Sequence, residues 1–594
     1  MLTRKKINAD FCVVGGGMSG ICAAVAAARE GCSVVLMHER PVLGGNASSE
    51  IRMWVLGAKG ENNRETGIIE EILLENYYMN PTKNFYIWDM VLYDFIRREK
   101  NITLLLNCTC IDADTEHGSF AYGRTERIRS VTGYQMTTQT FFEVEADNFA
   151  DCSGDSILAP LTGAEFMLGR EGAAEFCELS PVKEHDGKVM GMSCLIQGRE
   201  TDENVKFRAP EWSRKLSDED FKYHRPDLRS PYENFWYLEL GGDRDTIGEA
   251  EDISHELVSL AAGTWDHIKN SGQYDADKWD LDFFGFLPGK RESRRMKGEY
   301  IITQRDISEN RLFEDTAAFG GWPLDVHFPE GFKREGEVNS ATETPSPYCV
   351  PYRAMYSKNV LNLFFAGRNI SVTHMALSST RVMATCAVIG QAVGTAAAVA
   401  AKHGCAPHGV YESYLDELQS RLAENDCLIP NRAREVGAVC KNTPVINGDD
   451  TLKNGLDRPN KTLYGDIKCG ASVKNGTALE YSFDKPELVR SVHITFDSDL
   501  DRNTLPGDYP DRVHPMRANL RKDSPQTCMP KTLCRCFVLS IVTESGEREI
   551  INCAENIKRA FSVDVNEYVR GLKLAVLSNW GGTEETNVFS FDFR

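Results

Sequence analysis

The sequence is short of basic residues. Its 67 lysines and arginines are outnumbered by 87 aspartates and glutamates, which gives a formal net charge of −20 and a pI of about 5.2. Because nucleic acid and anionic membranes attract positively charged surfaces, this balance argues against general binding to either, although it leaves room for local basic patches. We therefore predict a small-molecule substrate, with no nucleic-acid and no membrane partner.

Long apolar runs are also scarce. The N-terminus, MLTRKKINAD, leads straight into the first apolar strand without a separate signal core, so no secretion signal is predicted. One stretch, VMATCAVIGQAVGTAAAVAA at 382–401, is long enough to span a membrane. Alanine, glycine and threonine dominate it and it contains Gln391, so we interpret it as a buried helix of a soluble protein.

The cysteines lack the spacing of a disulfide framework. The 18 cysteines are scattered, and many lie inside apolar segments, which is typical of reduced, packed thiols and favours a cytoplasmic protein. Cys528, Cys534 and Cys536 cluster near the C-terminus, but they form no paired C-x-x-C and have no evident fourth ligand. No metal site is therefore predicted.

What the sequence does contain is a nucleotide-binding unit at residues 10–39, DFCVVGGGMSGICAAVAAAREGCSVVLMHE. An apolar strand runs into G-x-G-x-x-G, an alanine-rich helix follows, and a second apolar strand ends at Glu39. In this motif Gly15 permits a tight turn, Gly17 lets a pyrophosphate approach the backbone, and Gly20 lets the helix pack on the strand. The helix N-terminus supplies N–H groups to phosphates, and Glu39 can accept hydrogen bonds from ribose.

A second glycine-rich loop, PVLGGNASSE at 41–50, follows directly. Together, HERPVLGGNASSE resembles the FAD-dependent oxidoreductases of the glutathione-reductase-like superfamily. The resemblance implies that this loop lies along the diphosphate and flavin, and hence that the cofactor is FAD rather than NAD. The residues placed at the cofactor by the motif and the resemblance are Gly15, Gly17, Met18, Ser19, Gly20, Glu39, Arg40, Gly44, Gly45, Asn46 and Ser48.

Two later segments resemble further parts of the same family. NFADCSGD at 148–155 ends a strand that would return to the nucleotide, although an ordinary strand-to-loop turn would have the same sequence pattern. VLNLFFA at 360–366 ends in a glycine, and SSTR at 378–381 is expected to open the long small-residue helix toward the flavin. Many relatives have Asp where this chain has Arg368, which puts the ribityl contact in doubt. The residues that these segments add to the cofactor site are Asp151, Gly154, Gly367, Arg368, Ser379, Thr380 and Arg381.

The catalytic candidates come from two places. The run LPGKRESRRMKG at 287–298 is the most basic in the chain and resembles a recurrent motif of the family, but it also fits a solvated loop with local salt bridges. If it faces the active site, one or two of Arg291, Arg294 and Arg295 can orient a carboxylate, a phosphate or an enolate, and Arg291 and Arg295 are the candidates chosen. His374 lies between the closing strand and the helix, where it suits proton transfer or a purely structural hydrogen bond.

At 594 residues the chain is expected to form two to four domains. The predicted fold is α/β, with a Rossmann-like FAD-binding domain, an inserted α+β substrate domain and a C-terminal all-β sandwich. The sandwich is inferred from short alternating runs and weakly resembles a discoidin-type carbohydrate-binding module. The predicted boundaries are 1–160 and 351–435 for the FAD-binding domain, 161–350 for the substrate domain and 436–594 for the sandwich.

The function that these features favour is an FAD-dependent oxidoreductase. It would transfer a hydride between the flavin and a small hydroxylated or carboxylated substrate, and a sugar-derived one would suit the sandwich. No second G-x-G-x-x-G occurs between 160 and 350, so no NAD(P)H domain is expected there. A tRNA-modifying flavoprotein, and a glycan-binding scaffold with a structural flavin, are the alternatives; a homo-oligomer is left open.

Overall fold

A seven-stranded sheet carries the nucleotide-binding unit. The computed structural model describes residues 2–180 and 182–594. Thr3–Val14 lies between two parallel neighbours, Val34–Met37 and Thr140–Asp151. Only the last four residues of the first strand are fully buried, which explains why they alone form an apolar run. The remaining strands of the sheet are Ile102–Leu105, Cys108–His117, Glu126–Gln135 and Leu363–Phe365.

Two helices of small residues cover this sheet. The N-terminal helix, Met18–Arg29, packs against the central helix, Met383–His403. A Cβ atom on Gly390 would lie 2.1 Å from the Ser19 carbonyl oxygen, so the two backbones touch there. The central helix is long and apolar enough to cross a membrane, and 94% of its apolar window is buried inside the protein, as in a core helix. The other helices are Ile68–Met79, Phe85–Arg97, Leu158–Thr162, Ala173–Phe176, Ala250–Asn270, Gln304–Ser308, His374–Thr380, Pro407–Ser413, Leu415–Glu424, Ala438–Asn442, Lys461–Tyr464 and Tyr509–Val513.

The segment between the two parts of the sheet is a mixture of short strands and helices, as predicted. The helix Ala250–Asn270 and the strand Trp279–Phe284 share a separate hydrophobic core, centred on Trp265 and Trp279. The other strands of this segment are Phe166–Met167, Met192–Ser193, Ile196–Glu200, Glu239–Leu240, Gly289–Lys290, Arg295–Met296, Thr316–Gly320, Leu324–His327, Asn339–Thr342 and Tyr348–Pro351.

The C-terminal part is antiparallel throughout. Two 20-residue strands pair with each other along most of their length, and their register is interrupted where they bend. They enclose a core rich in valine, leucine and phenylalanine, as expected for a β-sandwich. The predicted fold class is therefore confirmed, while the exact domain boundaries stay predictions. The six strands are Ala471–Lys474, Thr477–Phe496, Cys534–Thr543, Gly546–Cys553, Ala560–Asn579 and Glu585–Phe593.

Buried ion pairs join the sandwich to the nucleotide-binding part. Arg502 contacts Glu70 at 2.6 Å, and both side chains are almost completely buried. Arg559 contacts Asp426 at 3.0 Å in a similarly buried position. Because each charge would be left in the interior without its counter-charge if the sandwich moved away, these contacts fix the sandwich to the rest of the protein.

This arrangement gives a stability prediction. Glu70→Ala removes the carboxylate that neutralises Arg502, so we expect the free energy of unfolding to fall by about 3–5 kcal/mol. Thermal unfolding followed by circular dichroism measures the change. The matched control is Glu547→Ala, because Glu547 pairs with Lys573 at 3.3 Å on the exposed surface, where such pairs contribute about 0–1 kcal/mol. Equal effects of the two substitutions would contradict the role of the buried pair.

Candidate functional site

A cavity of about 420 Å³ opens at the carboxyl edge of the parallel strands. Four of these strands end at its wall, and the residues that follow each of them line it: Gly15, His38, Cys152 and Gly367. Parallel strands of an open α/β sheet end at the same edge, which is where such sheets bind their ligands. The topology therefore brings together segments that are up to 350 residues apart in the sequence.

The glycines of the G-x-G-x-x-G turn have different surroundings. Gly15 has a φ of +109°, and a Cβ atom there would lie 2.4 Å from the Cys152 backbone. A Cβ atom on Gly20 would meet the Gly15 carbonyl oxygen at 1.8 Å, so Gly20 serves helix packing and does not line the cavity. Gly17 faces the cavity, and the nearest protein atom to its added Cβ is 3.9 Å away, on Gly45. The open space beside Gly17 fits a ligand that lies against the backbone.

The start of the N-terminal helix and the second glycine-rich loop form opposite sides of this space. Met18 and Ser19 begin the helix at the cavity wall, where the first N–H groups of a helix have no partner within the helix and attract anions. The Gly44 N–H donates to the Gly16 carbonyl oxygen at 2.9 Å, which holds the loop against the turn. Gly45 and Asn46 of the loop also line the cavity.

The end of the second strand presents a carboxylate. Glu39 lines the cavity, and its side chain is 46% exposed. Its neighbour His38 is fixed by two contacts: Nδ1 accepts from the Gly16 N–H at 3.0 Å, and Nε2 lies 3.0 Å from the Val42 carbonyl oxygen, to which it can donate. These roles require a neutral imidazole. The Glu39 carboxylate lies 3.1 Å from His38 Nδ1 and 3.4 Å from Arg40 Nε, and its exposed part can still accept hydrogen bonds from hydroxyl groups of a ligand.

Two cations share one carboxylate on the far side of the turn. Arg368 and Lys290 contact Asp155 at 2.5 Å and 2.8 Å, and all three line the cavity. Burial alone would raise the pKa of Asp155, but the charges of Arg368 and Lys290 hold it below its ordinary value. One positive charge remains uncompensated, which suits a diphosphate. Gly154 has a φ of +79°, and a Cβ atom there would collide with the Arg368 guanidinium.

Two further guanidinium groups line another part of the wall. Arg291 donates to the Ser193 hydroxyl at 2.8 Å and to the Trp236 carbonyl oxygen at 2.9 Å. Arg381 donates through Nη2 to Asp325 at 3.0 Å. Burial lowers the pKa of Arg291, the nearby Glu239 opposes that effect, and the positive charge of Arg381 adds to it. Two cations this close attract an anion between them.

Behind these groups lies a buried bridge, which we define as Glu239, His327 and Asp325. Glu239 is 3.2 Å from Arg291, and its Oε2 atom is 2.6 Å from His327 Nδ1. Asp325 is 3.4 Å from His327 Nε2 and also pairs with Arg381. Burial would raise the pKa of both carboxyl groups, but His327 and the nearer arginine of each keep both below their ordinary values.

Besides Gly20, four predicted cofactor residues lie away from the cavity. Ser48 is fully buried, and Asp151 holds its own turn by accepting from the backbone N–H groups of Ser153 and Leu158. The expectation that SSTR opens the long helix was wrong. Ser379 and Thr380 end the preceding helix, and the central helix begins at Met383 after an uncapped Val382. Ser379 instead bonds with the Tyr348 hydroxyl at 2.6 Å.

Two of the three predicted catalytic residues are also buried away from the cavity. The Nδ1 atom of His374 lies 2.9 Å from the Glu292 carboxylate, and Arg295 pairs with Glu171 at 2.9 Å. Neither lines the cavity wall, so their geometry indicates a structural ion network. Arg291 is the one candidate of the three that reaches the cavity. Arg291 pairs with Glu239 and Arg295 with Glu171, so different carboxylates hold the two side chains in different directions.

Several residues of the site were not found by sequence reasoning. Trp54, Ser193 and Leu195 line the cavity but belong to no recognisable motif. Glu239 and His327 lie in separate short strands, and no local pattern connects them. The basic run at 287–298 was the only available signal for this part of the wall.

Comparison with known proteins identifies the family. The model of the family described as FAD dependent oxidoreductase matches residues 10–422. No curated protein matches the sequence significantly. Solved structures with partial similarity include Thermovibrio ammonificans THI4 (16% identity, 28% of this chain and 66% of that one, TM-score 0.21). Another is the myxobacterial chondrochloren halogenase CndH (13% identity, 70% of this chain and 80% of that one, TM-score 0.32). A third is the family 32 carbohydrate-binding module of Streptococcus pneumoniae EndoD (10% identity, 26% of this chain and 97% of that one, TM-score 0.18).

With identities of 16% or less and TM-scores well below 0.5, these structural similarities carry no functional conclusion for this chain. The family match supports a functional conclusion, because it spans both parts of the sheet and every segment that lines the cavity. The open glycine turn, the helix N-terminus, the carboxylate of Glu39 and the excess positive charge beside Asp155 all fit FAD. The chain belongs to the FAD dependent oxidoreductase family and is an FAD-dependent oxidoreductase.

Proposed function

We propose that the protein transfers a hydride between FAD and a small substrate that carries a carboxylate and at least one hydroxyl group. Arg291 and Arg381, which we call the anion clamp, carry this proposal because they line the same cavity as the nucleotide-binding segments. Sequence reasoning assigned Arg381 to the cofactor. Its position beside Arg291, on the bridge of Glu239, His327 and Asp325, supports a role toward the substrate instead.

The two members of the anion clamp differ in how much hydrogen-bonding capacity the protein uses. Both terminal nitrogens of Arg291 already donate to protein oxygens, so its orientation is fixed. Arg381 contacts Asp325 through Nη2 alone, and its Nη1 makes no hydrogen bond to another described residue, so this nitrogen can donate to a ligand. A planar guanidinium with donors to spare can bind a carboxylate in a defined orientation.

The chemistry that FAD supplies when bound is hydride acceptance or donation. The chain's own residues bind the substrate carboxylate at the anion clamp and limit water on one side through Trp54, Leu195 and Leu287, which line the wall. The Ser193 hydroxyl donates to the Trp236 carbonyl oxygen and accepts from Arg291, so its remaining lone pair can accept a hydrogen bond from a substrate hydroxyl. Sugar-derived acids meet these requirements, since they combine a carboxylate with several hydroxyl groups.

The experiment compares matched substrates. The purified holoprotein is checked for released FAD and then mixed anaerobically with hydroxy acids, sugar acids, their uncharged amides, and the parent sugars and polyols. We expect the flavin absorption band to bleach at least about 100-fold faster with a carboxylate than with its amide, because an uncharged amide cannot form charge-assisted hydrogen bonds with the two guanidinium groups. For the opposite electron flow, dithionite-reduced protein is mixed with keto acids and their amides.

Each outcome decides between substrate classes. Bleaching by neutral sugars as fast as by the acids would overturn the carboxylate proposal. No response to any donor or acceptor would favour the scaffold with a structural flavin, and retention of RNA during purification would favour a tRNA-modifying enzyme. We further propose that the protein is cytoplasmic and acts without nucleic acid or membrane, since its charge is −20 and its 18 cysteines are free within the described part of the chain.

A further inference from the structure

We propose that the protonation of His327 sets the net charge of the anion clamp and its bridge taken together, so that this histidine decides whether the site binds a carboxylate. The inference deepens the proposed function and rests on it. His327 is almost completely buried and does not line the cavity, so it acts through Arg291 and Arg381 as a positioning residue.

The contacts of the imidazole favour its protonated form. Nδ1 lies 2.6 Å from a Glu239 oxygen, and Nε2 lies 3.4 Å from an Asp325 oxygen. Both neighbours are carboxylates, which accept hydrogen bonds and do not donate them when ionised. A neutral imidazole has one N–H, so its second nitrogen would turn a lone pair toward a carboxylate. The imidazolium donates from Nδ1 to Glu239 and places its positive charge 3.4 Å from Asp325, so it satisfies both carboxylates.

The net charge of the clamp and its bridge depends on this proton. The positive charges of Arg291 and Arg381 are matched by the negative charges of Glu239 and Asp325, which contact them at 3.2 Å and 3.0 Å. The net charge of the five groups is therefore the charge of His327. When His327 is an imidazolium, the five groups together carry one positive charge and attract a carboxylate. When it is neutral, the five groups have no net charge, because each arginine is neutralised by its own carboxylate partner.

The other groups around His327 are already paired. The short helix His374–Thr380 packs on the strand that ends at His327, and its His374 is bound to Glu292. The Trp236 ring lies edge-on to both His327 and His224, and His224 pairs with Glu337. The adjacent strand Asn339–Thr342 contributes Asn339, which donates to Asp325 at 2.6 Å and has no charge. The remaining charged groups around His327 thus form pairs of their own and leave the net charge of the clamp and its bridge unchanged.

The test uses acetate and acetamide as probes, because they have nearly the same shape and differ in charge. Their dissociation constants are measured from the perturbation of the flavin spectrum of the holoenzyme between about pH 6 and about pH 9, a range in which acetate stays ionised. Loss of the imidazolium proton toward alkaline pH leaves the five groups neutral, so we expect acetate binding to weaken about tenfold or more there, while acetamide binding stays constant.

Two substitutions, His327→Gln and Asp325→Asn, change the net charge of the site while keeping side chains of similar size. In His327→Gln the two arginines and their two carboxylate partners have no net charge at any pH tested, so acetate should bind weakly and independently of pH. In Asp325→Asn one negative charge is removed, so acetate binding should persist at the highest pH, where the wild-type protein loses it. Bound FAD and the thermal unfolding midpoint are measured for both variants, and the wild-type pH profile stands as a test even if a variant fails to fold.

The outcomes distinguish this inference from the proposed function. Acetate binding that is equally tight across the pH range in the wild-type protein, or that weakens equally in His327→Gln, would overturn the role of His327 and leave a carboxylate substrate intact. If acetate binds no better than acetamide at any pH, both the inference and the carboxylate proposal fail.

Discussion

Gly17→Val is expected to yield a folded protein without bound FAD. The side of Gly17 that faces the cavity is open, since a Cβ atom there would meet no protein atom closer than 3.9 Å. Valine would therefore occupy ligand space at little cost to the fold. We expect FAD affinity to fall by about 100-fold or more, which corresponds to about 3 kcal/mol or more. The ratio of flavin absorbance to protein absorbance after purification measures the loss.

The matched control is Gly187→Val. Gly187 has no protein atom within 4 Å of an added Cβ, has no positive φ and does not line the cavity. This variant should keep its full complement of FAD, and both variants should keep their circular dichroism spectra. A Gly17→Val protein that purifies with one FAD per chain would refute the placement of the diphosphate at this turn.

Arg381→Ala should have the second large effect, on turnover and not on FAD content. The substitution removes the member of the anion clamp that has donors to spare. Truncating one partner of a buried, hydrogen-bonded charge pair costs about 2–5 kcal/mol, so kcat/KM for the carboxylated substrate should fall by about 100-fold or more. Stopped-flow bleaching of the flavin band measures this decrease, and Arg381→Lys should restore only part of it because lysine cannot bind a carboxylate bidentately.

Arg305→Ala is the control for the loss of an arginine. Arg305 is an exposed residue that pairs with Glu309 one helical turn away and does not line the cavity. Its removal should leave both FAD content and turnover unchanged. If Arg381→Ala bleaches as fast as the wild-type protein, the substrate carboxylate does not bind at the anion clamp.

The nucleotide-binding unit could be predicted from the sequence because its determinants are local. One strand, one turn and one helix within residues 10–39 contain the glycines, and their spacing is recognisable without knowledge of Cys152 and Gly45, which lie nearest to Gly15 and Gly17 in the fold. The antiparallel strands after residue 436 were predictable for a similar reason, since alternating apolar residues report one buried face.

The substrate side of the site could not be predicted in the same way. Arg291 and Arg295 lie in one short basic run, and only the packing of Glu171 and Glu239 around them decides which one faces the cavity. His327 obtains its chemical character from two carboxylates, of which Glu239 lies 88 residues away along the chain. The sequence contains these residues but gives no indication that they meet.

The meeting of the N-terminal and central helices has a consequence for synthesis of the protein on the ribosome. The N-terminal helix, Met18–Arg29, is covered by Met383–His403, and the sheet edge beside it needs Leu363–Phe365. A ribosome that adds about 5–20 residues per second requires roughly 20–80 s to make the chain between the first and last of these elements. The dinucleotide motif is thus among the first segments to emerge and among the last to be enclosed. FAD loading is therefore a late event, and until then the nascent chain exposes an apolar surface that chaperones would have to protect.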